Sequence, residues 1–172
     1  QREVGTVVVD LGAGTTGVSI FTGNSLAWTS VIPVGGSHVT SDLVKLLKAS
    51  PEEAERVKCQ HARAVVGKVK EDSTVEIRQI GHDEPRHLHR RVLYEIVESR
   101  AREIATLVRQ QIERSGHYGM LPGGVVLTGG MSQMPGIPQL MAAVLGEASV
   151  HLGSPKCAGP AGVRASNPEF SV

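Results

Sequence analysis

Apolar and polar residues along the chain fall into runs of two periods. Thr6-Val7-Val8-Val9 and Gly17-Val18-Ser19-Ile20-Phe21 are β-branched runs that suit a pleated, half-buried surface. They flank a short Gly-rich turn, Asp10 to Thr16, so the pattern predicts a β-hairpin. Thr22-Gly23-Asn24 makes a second tight turn, and Ser25 to Val34 reads as a third strand closed by Pro33, which completes an antiparallel meander. Gly35-Gly36 interrupts the pattern. A helix then begins with Thr40 or Ser41 as its cap and Leu43, Val44, Leu46 and Leu47 as its apolar positions. Ser50-Pro51-Glu52-Glu53 starts another helix: serine caps, proline takes the first helical position, and Glu53 is placed to complete a capping box. That helix runs on through Ala54 and Val57 to His61.

Thr74 to Ile80 alternates as a half-buried strand should, and Gly81 to Pro85 is a loop. The longest periodic stretch follows, Leu88 to Ser115. Leu88, Val92, Leu93, Ile96, Val97, Ile104, Leu107, Val108 and Ile112 recur at spacings of three and four, which predicts an amphipathic rod roughly 40 Å long. Gly116 and Gly119 end it. Gly124 to Gly130 is a short buried strand, Ile137 to Leu145 a helix, and Ser149 to Leu152 a last short strand before a Gly- and Pro-rich tail. No internal repeat is present.

The core these elements build is aliphatic, since 40% of the 172 residues are hydrophobic but only 3% aromatic. A formal net charge of +1 gives no support to nucleic-acid binding. Cys59 and Cys157 lie far apart and make neither a disulfide framework nor a metal spacing, for which a reducing cytosol is the simplest context. No apolar run approaches the length of a membrane span, no signal-peptide pattern opens the chain, and the chain reads as an excised part of a longer protein. His82, His87 and His89 cluster ahead of the rod; their spacing matches no common ligand set, and a solvated loop explains them better than a metal site does.

Three stretches carry candidate chemistry. In Asp10-Leu11-Gly12-Ala13-Gly14-Thr15-Thr16, glycines let backbone N–H groups line a concave anion site, Thr15 and Thr16 add hydroxyl donors, and Asp10 is placed to hold a metal-bound water or an attacking one. The same residues also make a plain hairpin tip with a solvated aspartate. No Gly-Lys-Ser/Thr follows, and a strand rather than a helix comes next, so this is neither a Walker loop nor a dinucleotide fingerprint. Glu55 and Lys58 share one face of the second helix, as a surface ion pair or as contacts to a ligand. Leu127-Thr128-Gly129-Gly130-Met131-Ser132-Gln133-Met134-Pro135-Gly136 places side-chain-free backbone after a strand; Met131 and Met134 suit a base or plain packing.

Together these stretches resemble the actin-like ATPases. The resemblance implies a phosphate loop at Gly12, Ala13, Gly14, Thr15 and Thr16, ribose and adenine contacts at Glu55 and Lys58, and an adenosine motif at Gly129, Gly130 and Met131, with ATP as cofactor and Mg held through water by Asp10. The segments "VIPVGGSHVTSDL", "EEAERVK", "VVLTGGMSQMPGI" and "HLGSPK" are similar to the second half of the bacterial cell-division family FtsA. That family implies an α/β fold, the ribonuclease-H-like half of an actin-like ATPase. Residues 1–38 and 118–172 would form subdomain IIA, and residues 39–117 an inserted α+β subdomain IIB. It also implies FtsZ's C-terminal tail as partner of IIB, self-association into actin-like protofilaments, and attachment to the inner face of the cell membrane at the division site through a segment outside this stretch. No nucleic-acid partner is implied.

Two positions depart from the family pattern: Ala13 stands where glycine is usual, and Gly17 where aspartate is usual. The family is one of weak ATPases, and this stretch alone is expected to be inactive. Its candidate peptide surface is the arginine strip beside the apolar stripe of the rod. Arg91 and Arg102 lie eleven residues apart, about three turns along one face, where an ordinary solvated helix face is the alternative. Rival memberships are another actin-like scaffold of the PilM or MreB type, or a sugar-kinase-like phosphotransferase.

Overall fold

The computed structural model describes residues 5–64, 73–82, 84–146 and 149–153. Cys157 and the Gly- and Pro-rich tail from residue 154 lie outside the described residues. The elements in chain order are β1 (Gly5–Leu11), β2 (Thr16–Thr22), β3 (Ser25–Ile32), α1 (Gly36–Leu47), α2 (Pro51–His61), β4 (Thr74–Ile77), β5 (Arg86–His89), α3 (Arg90–Arg114), β6 (Val125–Thr128), α4 (Ile137–Leu145) and β7 (Val150–Leu152), with a 3-10 turn at Gly130–Gln133. The α/β class expected from the sequence is the class observed.

Five strands make one mixed sheet in the order β3-β2-β1-β6-β7. The β1–β2–β3 meander is antiparallel, and β6 adds to β1, and β7 to β6, in parallel. Alternation along the strands puts Val7, Val9 and Leu11 of β1 on the buried face with Val18 and Ile20 of β2 and Val125 and Leu127 of β6. The opposite face, with Val8, Ser19 and Val126, is only half-buried. β4 and β5 form a separate antiparallel pair with Val75 opposite Leu88.

α3 ties the two sheets together. Its far end packs near the five-stranded sheet and α4: Ser30 of β3 donates to Gln111 at 3.1 Å, and Arg109 donates to the Val144 carbonyl at 3.3 Å. Its earlier part packs on α1, joined by the Arg100–Asp42 ion pair. Leu93, Val97, Ile104, Val108 and Ile112 are buried as the period requires. Tyr94, Ala101 and Ala105 complete the buried stripe, whereas Val92, expected in it, is 41% exposed.

The element edges depart from expectation for local reasons. β3 ends at Ile32, because Pro33 has no N–H and the Val34 carbonyl accepts the Thr16 hydroxyl at 2.8 Å instead. The strand begun at Thr74 stops at Ile77. Leu88, expected in the long helix, belongs to β5, and α3 begins at Arg90 with the His89 ring accepting from the Arg91 N–H at 3.1 Å. α1 begins at Gly36, not at Thr40; both hydroxyls lie inside it, Ser41 bonding back to the Ser37 carbonyl at 3.0 Å and Thr40 turned toward Glu55 of α2. Ser50 does cap α2, its oxygen accepting from the Glu53 N–H at 3.2 Å. The Glu53 carboxylate does not return to Ser50; Arg56 takes both of its oxygens at 2.7 Å.

Candidate functional site

Parallel pairing of β1 with β6 sets Asp10 opposite Thr128, so the turn after β1 and the Gly129-Gly130 segment after β6 leave the sheet side by side. Carboxyl ends of parallel strands are where α/β sheets hold ligands. A cleft of about 470 Å³ opens there. Gly12 and Ala13 of the turn, Glu55 and Lys58 of α2, and Gly130 and Met131 of the 3-10 turn all line it. Stretches more than a hundred residues apart in sequence thus meet at one surface.

Within the turn, the Gly12 N–H closes on the Thr15 carbonyl at 3.0 Å. The N–H groups of Ala13, Gly14 and Thr15 donate to no other group among the described residues, and all three residues are exposed. Three neighbouring N–H groups without a protein acceptor at a tight turn are donors open to an anion. Ala13 supplies its N–H there just as glycine would.

Lys58 crosses the cleft from α2 to α1. Its Nζ reaches Glu55 at 2.7 Å, the Thr40 hydroxyl at 2.9 Å and the Gly36 carbonyl at 3.2 Å. Thr40 also donates to Glu55 at 2.5 Å. Burial pushes the Glu55 carboxyl up, but the hydrogen bonds from Lys58 and Thr40 outweigh it and hold the group below the ordinary carboxylate range. Glu55 is therefore an ionised acceptor at neutral pH, suited to hydroxyl groups of a ligand. Met131, Met134 and Ala62 give the same cleft an apolar side.

The remaining candidates stand around the cleft. Gly14 and Thr15 are exposed at the turn's tip. Thr16 is fully buried and its hydroxyl is spent on the Val34 carbonyl, so it fixes the turn's base and offers no donor to the cleft. Half-buried Asp10 lies against Gly129, where φ is +84° and a Cβ would overlap the Asp10 carboxylate and the Leu11 carbonyl. Among the described residues no group of three or more His, Cys, Asp or Glu is placed to hold a metal ion. His89 caps α3.

Gly36, Ser37 and Thr40 of α1, which the sequence pattern did not assign to the cleft, adjoin it. Gly36 N–H donates to the Gly12 carbonyl at 2.9 Å, and Ser37 donates to the Ala13 carbonyl through both its N–H and its hydroxyl, at 2.7 and 2.8 Å. The Gly35-Gly36-Ser37 break was the available signal. A Cβ at Gly35 would overlap the Gly12 and Ala13 carbonyls, so glycine there lets α1 abut the turn.

The arginine strip lies away from the cleft. Arg91 and Arg102 are 67% and 56% exposed, each paired with a glutamate of its own helix, Glu95 at 2.9 Å and Glu98 at 2.7 Å. No helix among the described residues is long and apolar enough to cross a membrane.

Comparison with known proteins fits this geometry. The family model described as "Cell division protein FtsA" matches residues 7–172. The chain is 39% identical over 140 residues to the cell division protein FtsA of Pseudomonas aeruginosa, covering 81% of this chain and 34% of the relative. It is 36% identical over 162 residues to FtsA of Escherichia coli strain K12, covering 90% of this chain and 38% of the relative. It therefore spans between a third and two fifths of those proteins. Among solved structures, the PilM-PilN type IV pilus biogenesis complex superposes with a TM-score of 0.71 at 18% identity, over 98% of this chain and 44% of that one. MreB5 of Spiroplasma citri bound to ADP superposes with a TM-score of 0.69 at 17% identity, over 89% and 50%. On its fold and its matched sequence, the chain belongs to the FtsA family of cell-division proteins and has the fold of the actin-like ATPases.

Proposed function

We propose that this chain supplies one wall of an ATP site in an actin-like cell-division protein, and that the region carrying β4, β5 and the start of α3 receives the C-terminal tail of FtsZ. The observation that carries the nucleotide reading is the gathering of Gly12, Ala13, Glu55, Lys58, Gly130 and Met131 along one cleft. Free N–H groups at the turn suit phosphates, ionised Glu55 suits ribose hydroxyls, and the Lys58 stem with Met131 suits a base. One carboxylate, water and phosphate oxygens form a donor set that magnesium accepts, so Asp10 fits a metal held through water. In this reading residues 1–38 and 118–172 make the nucleotide-facing subdomain and 39–117 the inserted, partner-binding one; α1 spans that boundary. The parent protein assembles into protofilaments and ties the FtsZ ring to the inner face of the cell membrane.

Phosphoryl transfer depends on surrounding the γ-phosphate with donors and metal. This stretch brings one phosphate loop, so it binds ATP weakly and does not turn it over. Calorimetric titration with ATP and Mg²⁺, beside a phosphate-release assay, tests this. Weak binding reduced by Lys58→Ala, with no release, is the expected outcome. Absence of binding at millimolar nucleotide, or steady hydrolysis abolished by Asp10→Ala, overturns it.

A further inference from the structure

The turn after β1 is held from behind. Its Gly12 and Ala13 carbonyls point at the first turn of α1, where they accept from Gly36 N–H, Ser37 N–H and the Ser37 hydroxyl. The N-cap Gly35 has no side chain to cap α1, and the His38 ring takes only the Gly35 N–H, at 3.2 Å; the Gly12 and Ala13 carbonyls take further donors that a helix start leaves unsatisfied. A planar trans peptide points its C=O and the next N–H in opposite directions, and the described chain has no cis peptide. Turning the Gly12 carbonyl toward α1 therefore turns the Ala13 N–H away from it, and turning the Ala13 carbonyl toward α1 turns the Gly14 N–H away. Two of the turn's three free donors, the Ala13 and Gly14 N–H groups, are thus aimed by hydrogen bonds made on its hidden side.

Ser37 carries most of this. Both donors on the Ala13 carbonyl come from it, one of them from a side chain that is otherwise exposed. We propose that Ser37 is the positioning residue of the phosphate loop: its hydroxyl locks the Ala13–Gly14 peptide in the orientation that presents the Gly14 N–H to an anion, without itself touching the ligand. This rests on the nucleotide reading of the cleft. It also joins the two sides of the cleft, because the neighbouring Gly36 accepts from Lys58 at 3.2 Å through its carbonyl while its N–H holds Gly12.

The test compares a ligand with phosphates to one without. ATP and adenosine are titrated into the wild-type chain, Ser37→Ala and Ser37→Thr, with folding checked by circular dichroism. Ser37→Ala keeps the backbone bond but loses the hydroxyl, so ATP affinity falls about fivefold while adenosine affinity stays. Ser37→Thr keeps a hydroxyl and restores ATP affinity. Equal ATP affinity in folded Ser37→Ala, or equal loss for both ligands, overturns the positioning role and leaves the nucleotide reading standing. A wild-type chain that binds neither ligand overturns both.

Discussion

The guanidinium of Arg100 grips both carboxylate oxygens of Asp42, at 2.7 and 2.9 Å, across the packing of α3 on α1. Both side chains are about three-quarters buried, at 25% and 22% exposure, and Glu103 adds a further contact to Arg100 at 2.6 Å. Two-point geometry and partial burial raise this pair above an ordinary surface bridge. Asp42→Ala is expected to cost about 1–2 kcal/mol in urea unfolding, against at most about 0.5 kcal/mol for Arg91→Ala in its exposed helix pair. A double-mutant cycle with Arg100→Ala isolates the coupling; coupling no larger than that of Arg91 with Glu95 contradicts it.

Adjacent glycines after β6 differ sharply in what they tolerate. Gly129 combines a φ of +84° with Asp10 and Leu11 pressed against the place of a Cβ, whereas a Cβ at Gly130 meets nothing within 4 Å. Gly129→Ala is expected to lose more than about 2 kcal/mol through strain and overlap. Gly130→Ala leaves thermal unfolding nearly unchanged. Similar melting temperatures for the two variants contradict the assignment.

Among the lowered carboxyls of α2, Glu53 is shifted furthest and is a source of acid sensitivity. The Arg56 guanidinium beside Glu53, helped by the Arg78 N–H and opposed by burial, lowers this carboxyl from 4.5 to about 2. Since the folded value lies below the unfolded one, the stabilisation is full above about pH 4.5 and is lost as the pH falls toward about 2. Arg56 is 39% exposed, so solvent screening limits the effect to about 1 kcal/mol. In chemical unfolding across that range, Glu53→Gln should lower stability at pH 7 and flatten the acid limb. An unchanged acid limb would falsify the assignment.

The strip on α3 makes a separate claim. Arg91 and Arg102 are exposed on one face and, among the described residues, pair with glutamates of their own helix, so their reversal to glutamate leaves the packing of α3 intact. Binding of a peptide with the sequence of an FtsZ tail should weaken at least tenfold in the double variant, about 1.4 kcal/mol. Unchanged affinity in a folded double variant moves the peptide site off this face.

Signals within a few residues of chain were legible before the structure. The hairpin followed from β-branched runs about a Gly-rich turn, and the start of α2 from Ser50-Pro51. The three stretches that meet at the cleft were each visible as motifs. What stayed hidden was tertiary in origin. The start of α1 is satisfied by carbonyls over twenty residues upstream, so no capping residue marks it. Leu88 stands four residues before Val92 and reads as helical, yet it pairs with Val75 across a strand register that only the fold sets. Thr16 has the right chemistry for a phosphate, but its hydroxyl is consumed by Val34, a partner that no spacing reveals.

α3 is a single unbroken rod of 25 residues, about 37 Å long. One end is fastened beside the five-stranded sheet through Gln111 and Arg109, and the other begins directly after β5. Such a rod is a lever. Pivoted about its Gln111 end, a tilt of about 3° carries its Arg90 end through about 2 Å. The Asp42–Arg100 clasp lies part-way along it and couples that swing to α1, whose first turn grips the loop at the cleft. A shift too small to disturb the sheet is thereby magnified at the far end of the molecule.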